Sequence, residues 1–61
     1  MELLNVKETA NLLRISHYTL RAWIFARKIP FVRIGRRILF RRSDLEKLVE
    51  EAIQPVHTTE R

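Results

Sequence analysis

Between Glu8 and Asp44 the chain carries nine cations and no acid: Arg14, Arg21, Arg27, Lys28, Arg33, Arg36, Arg37, Arg41 and Arg42. Cations with no counter-charge in their own stretch repel one another, so any fold must keep them at the surface and spread apart. A polyanion is their natural partner. Eight of the nine are arginine, which favours forked hydrogen bonding to phosphate or guanine over generic solubility. A plainly solvated basic surface is the alternative. The other residues hold all seven acids, so the net charge of +5 understates the asymmetry.

A chain of 61 residues makes at most one small domain, burying only about 60% of its unfolded surface. It has no cysteine, and its two histidines, His17 and His57, stand far apart. Neither a disulfide framework nor metal-ligand spacing is present, and no cofactor is expected. Stability must come from the packed core and a partner. The longest unbroken apolar run is Ala22 to Ala26, far short of the roughly 20 residues that span a bilayer. No secretory leader pattern opens the chain. The expectation is a cytoplasmic protein without membrane contact, nucleoid-associated when bound to DNA. With no nucleophilic cysteine, no glycine-rich phosphate loop and no acid in the basic window, it is not expected to be an enzyme.

Asn5 followed by Glu8 has the spacing of a capping box, and Val6, Ala10 and Leu13 then fall on one helical face. This predicts a first helix over about 6–13, with Leu3 and Leu4 packing just before it. Ser16 is a good N-cap for a second helix, whose inner face takes Leu20, Trp23, Ile24 and the stem of Arg27. Pro30 ends it near Ala26 or Arg27. The linker of about three residues is the helix-turn-helix spacing, which any helical hairpin also fits. From Phe31 to Phe40 the pattern turns to alternation around Gly35, the chain's single glycine, which predicts a hairpin. A loop over Gly35 to Arg37 puts Val32, Ile34, Ile38 and Phe40 on one face and is preferred to a two-residue turn, which splits them. Ser43-Asp44-Leu45-Glu46 reads as a second capping box, opening a helix over about 44–53 with Leu45, Leu48, Val49 and Ala52 on one face. Residues 1–53 thus form one domain, and 54–61 are expected to be a disordered tail.

The order is helix, short turn, helix, basic hairpin, helix. An isolated hairpin is marginal in water, so its apolar face must pack on the helices. A helix about 10–12 Å across suits a B-DNA major groove about 12 Å wide, and an arginine-tipped hairpin beside it reaches phosphates or the minor groove. Trp23, spaced with Leu20, reads as core, and Glu46, Glu50 and Glu51 as a solvated face or one that meets the basic face of a neighbouring copy.

The runs Asn5 to Ala10, Ser16 with Thr19 to Trp23, Arg27 to Pro30, Val32 to Arg37 and Phe40 to Leu45 together resemble the small excisionase-type, MerR-like winged-helix DNA-binding domains of bacteria, phages and mobile elements. The resemblance covers about residues 3–50 and rests on the ordered set rather than any single piece. It implies a mainly α fold with a small β-hairpin wing, a winged helix-turn-helix of order α-α-β-β-α. It also implies double-stranded DNA as partner, with the second helix in the major groove. Carried over by residue, His17, Tyr18, Arg21 and Ala22 face the groove, with Arg21 on a base or a phosphate. Arg33, Arg36, Arg37 and Arg41 belong to the wing, while Arg42, Lys28 and Arg14 flank it as phosphate contacts. Two residues depart from the pattern. Arg27 stands where many members have Gly or Asn in a left-handed turn, which leaves that turn's geometry open. Phe25 occupies a usually polar position; it is either a partner contact or packed under the wing, and the latter is expected.

Such domains act as recombination directionality factors, which bend attachment-site DNA, or as small transcription regulators. The former is the leading expectation, with a recombinase or integrase as a further partner. A single module buries roughly 600–1,000 Å² on DNA, so cooperative self-association on tandem sites is expected. A rival from another class is a protein-interaction adaptor or antirepressor using Phe25 and the acidic third helix. RNA binding is weaker still, since no aromatics interleave on a sheet face.

Overall fold

A computed structural model describes residues 2–55. The elements are β1 (Leu3–Asn5), α1 (Val6–Leu13), α2 (His17–Phe25), β2 (Val32–Ile34), β3 (Arg37–Arg41) and α3 (Arg42–Ala52). The three strands form one antiparallel sheet in the order β1-β3-β2. This is the winged helix-turn-helix architecture, with one strand more than the hairpin alone. None of the described helices is long and apolar enough to cross a membrane. Gln54 and Pro55 are exposed coil; the rest of the expected tail lies outside the described residues.

Local chemistry sets the helix ends. The Asn5 side chain accepts from the Glu8 amide at 2.7 Å, and the Glu8 carboxylate accepts from the Asn5 amide at 3.0 Å, so the reciprocal capping box forms as the spacing predicts. Ser16 Oγ accepts from the Thr19 amide at 3.1 Å and caps α2. Both helices then stop in the same way. The Ile15 amide donates to the Ala10 carbonyl at 3.0 Å and Arg14 to Asn11 at 3.2 Å; Lys28 donates to Trp23 at 2.9 Å and Arg27 to Ile24 at 3.1 Å. Each is a Schellman pair closed on a left-handed residue. Those residues are Arg14, with φ 61°, and Arg27, with φ 59°. The left-handed turn after α2 therefore forms without glycine or asparagine, and the Arg27 stem, expected inside, is exposed.

The core draws one buried apolar side chain from almost every element: Leu4 from β1, Ala10 from α1, Leu20 from α2, Phe40 from β3 and Leu45 from α3. Ile29, held extended before Pro30, joins them. Each large member contributes about 1.5–3 kcal/mol by leaving water. Leu4 pairs across the sheet with Phe40, so β1 closes one end of the core. Thr9 on α1 is also wholly buried. On α3 the burial stops halfway: Leu45 is buried and Leu48 partly so, whereas Val49 and Ala52 are exposed.

Three further expectations change. The hairpin turns through Gly35 and Arg36 alone, with Ile34 paired to Arg37, Arg33 to Ile38 and Val32 to Leu39. Gly35 has φ +60°, and Arg36 is not in the positive region, the pattern of a type II′ turn, whose twist matches that of the strands. Turn sterics outweigh an all-apolar face. Arg33, Ile38 and Phe40 share the helix side, while Val32, Ile34, Arg37 and Leu39 face outward. Next, α3 starts at Arg42 rather than after Ser43, and no side chain caps it. Pairing with β1 carries β3 as far as Arg41, and the Arg42 amide donates to the Glu2 carbonyl at 3.0 Å. Ser43 is thereby drawn into the first turn. Last, Phe25 does not pack under the wing: it is 90% exposed, because Phe31 and Ile38 pack on the core there.

Candidate nucleic-acid interface

The exposed side of α2 is set by its burial pattern. Leu20 is sealed in the core, with Trp23 and Ile24 half-buried beside it. His17, Tyr18, Arg21, Ala22 and Phe25 are all exposed; at 100° per residue the last four occupy the opposite stripe, whereas His17, at the helix start, lies on its edge above Ile24. Tyr18 is 85% exposed. Three of the four predicted groove-facing residues, Tyr18, Arg21 and Ala22, thus share one face with His17 at its edge, and Phe25 extends it by a further turn. The Ser16 cap and the Schellman turn fix both ends of this nine-residue helix.

The nine cations of the acid-free window fall into separate groups. Arg33 lies on the helix side of the hairpin, not on its outer side with the other wing arginines. Arg36 forms the tip. Arg37 and Arg41 are on the outer face. Arg41 forks onto Asp44, with its Nε and one terminal nitrogen each 2.8 Å from a carboxylate oxygen. Arg42 donates to the Glu2 carboxylate at 2.8 Å. No other ion pair joins the described residues. Acids outside the window therefore pair with two of its predicted contacts: the fork of Arg41 is occupied by Asp44, while Arg42 gives Glu2 only its Nε. The hydrogen bond from Arg41 holds the Asp44 carboxyl below its usual range, and the same bond raises the Arg41 guanidinium further. Lys28 and Arg14, both exposed, follow α2 and α1 respectively.

One cluster is assembled from residues far apart in the sequence. Arg21, Arg27 and Arg33 line a cleft of about 270 Å³ between the end of α2 and the hairpin. Its apolar wall is Ile24, Phe31 and Ile38, and Phe25 forms a lip. Arg27 and Phe25 are not among the predicted contacts. The signal for Arg27 was its place at the helix end, where a left-handed residue turns its side chain out of the α2 stripe.

Residues 3–52 match the helix-turn-helix domain family. Over 98% of its length the chain is 38% identical to the transcriptional repressor DcmR of Methylorubrum extorquens, and it spans 24% of that protein. No solved structure matches.

Proposed function

This chain belongs to the helix-turn-helix domain family, and on that premise we propose that it is a non-enzymatic protein that binds double-stranded DNA. In this reading α2 enters the major groove and the arginine-bearing hairpin rests on the neighbouring backbone or minor groove. The observation that carries it is the exposed α2 stripe, Tyr18, Arg21 and Ala22 with His17 at its edge, flanked by cations without ion-pair partners among the described residues. A helix so capped is rigid, and its width suits the groove.

The role we infer first is that of an excisionase-like architectural factor acting cooperatively on tandem sites, since one module of this size supports only modest affinity alone. The acidic outer residues of α3, Glu46, Glu50 and Glu51, suit contact with the basic face of a neighbouring copy. Transcription regulation is the second reading, favoured by the similarity to a transcriptional repressor.

The test is fluorescence anisotropy of a labelled duplex at several salt concentrations. Contact with about five phosphates gives a log–log slope near −4 to −5. Absence of binding at low salt would overturn the proposal. Charge reversal at Arg36 and Arg37 that left the protein's biological activity intact would favour the protein-adaptor reading instead.

A further inference from the structure

We propose that the cleft between α2 and the hairpin is a seat for one sugar–phosphate unit of a DNA strand, with Arg27 and Arg33 gripping the phosphate and Phe25 covering the sugar. The inference rests on the DNA-binding reading above and deepens it. A helix in the major groove and a hairpin reaching the adjacent groove must straddle the strand that separates the two grooves. That strand crosses the space between α2 and β2, which is where the cleft lies.

The lining has the chemistry of the strand's repeating unit. Three guanidinium-bearing residues, Arg21, Arg27 and Arg33, border it with no acid among the lining residues, and none of the three has an ion-pair partner among the described residues. Its wall is hydrocarbon: Ile24, Phe31 and Ile38. A free anion uses the cations and leaves the wall idle. A deoxyribose–phosphate unit uses both, because its anionic group is followed by a ring with a largely apolar face. Phe25, 90% exposed at the lip, lies where such a ring would cover it.

Arg27 supplies an independent observation. It holds a left-handed conformation, φ 59°, that costs any residue with a Cβ and that glycine adopts freely. Its carbonyl and amide serve the turn whatever the side chain is, so folding alone is better served by glycine. Arg14, itself a predicted phosphate contact, holds the same conformation, and strain held at these exposed positions points to a use for both side chains.

The experiment compares the full chain with Arg27→Gly, Arg33→Ala, their double variant, Phe25→Ala, Phe25→Leu and, as a charge control on α3, Lys47→Ala. Each is measured by thermal melting and by anisotropy against salt. Arg27→Gly is expected to raise the melting temperature while weakening binding, and the double variant, which frees the shared phosphate, to lower the magnitude of the salt slope by about 0.9. The two arginine substitutions should be non-additive, as expected for groups sharing one phosphate. Phe25→Ala should weaken binding with the slope unchanged, Phe25→Leu should restore most of it, and Lys47→Ala should match the wild type. A wild type that binds while Arg27→Gly binds equally well with the same slope would overturn the phosphate grip. Full binding by Phe25→Ala would overturn the sugar contact. Failure of the wild type itself to bind would instead remove the DNA reading, and this proposal with it.

Discussion

Thr9 offers the sharpest check on the packing. Its side chain is wholly buried in α1, and its hydroxyl oxygen has no hydrogen-bond partner. Burying an unpaired hydroxyl costs about 1–3 kcal/mol on mutational scales. Valine replaces the hydroxyl with a methyl of similar size, is also β-branched and has a nearly equal helix propensity, so the substitution removes the penalty with little else changed. Thr9→Val should therefore stabilise the fold by about 1 kcal/mol. For a domain this small that is a rise of about 4–8 °C in melting temperature, measured by circular dichroism. Thr9→Ser keeps the hydroxyl and deletes the buried methyl, and should lower stability by about 1 kcal/mol through lost burial and the cavity left. Because Thr9 faces the interior, the valine variant should bind DNA as the wild type does. A valine variant that melts at or below the wild type would refute the reasoning, since the hydroxyl would then have to be satisfied.

Two further outcomes follow from the wing and its root. At Gly35 an added Cβ meets nothing within 4 Å, yet φ is +60°; Gly35→Ala should thus cost only the conformational penalty, about 1–2 kcal/mol, seen as a lower melting temperature and weaker DNA binding from a loosened hairpin. The Arg41–Asp44 fork lowers the Asp44 carboxyl in the folded state, so its stabilisation is fully present above the unfolded value of about 3.9 and is lost only as pH falls through the lower folded value. In urea titrations from neutral to strongly acid pH, the gap between wild type and Asp44→Asn should stay constant down to about pH 5 and close below about pH 4; a gap independent of pH would show that the fork contributes nothing.

What the sequence disclosed was whatever is decided by a few adjacent residues. The Asn5–Glu8 box, the Ser16 cap, the stop before Pro30 and the existence of a hairpin about Gly35 are each set within four or five positions, and each is found where its chemistry puts it. What it concealed depends on partners distant in the chain. β1 is three residues long, too short for alternation to register, and forms only because Leu4 finds Phe40. Its pairing moves the start of α3 back to Arg42 and makes Ser43 an interior residue, which no reading of residues 43–46 alone can anticipate. The same contact brings Glu2 to Arg42 across the chain, so a stretch without acids in sequence is not without them in space.

The hairpin turn has the widest consequence for the site. A shift of one residue in register exchanges the two faces of a strand. A three-residue loop would gather four apolar side chains on one face. In the fold, Val32 and Leu39 instead pair across the outer face, each half-buried, so that face offers partial cover and the shorter turn prevails. Ile38 and Phe40 remain on the core side, and Arg33 accompanies them. That single outcome takes one cation away from the outer face of the wing and sets it opposite Arg21 and Arg27. Arg41 stays on the far side, held by Asp44. The number of cations is therefore visible in composition, but their division into a cleft-lining set and an ion-paired set is settled by one turn and one short strand. Neither carries a strong sequence signal of its own.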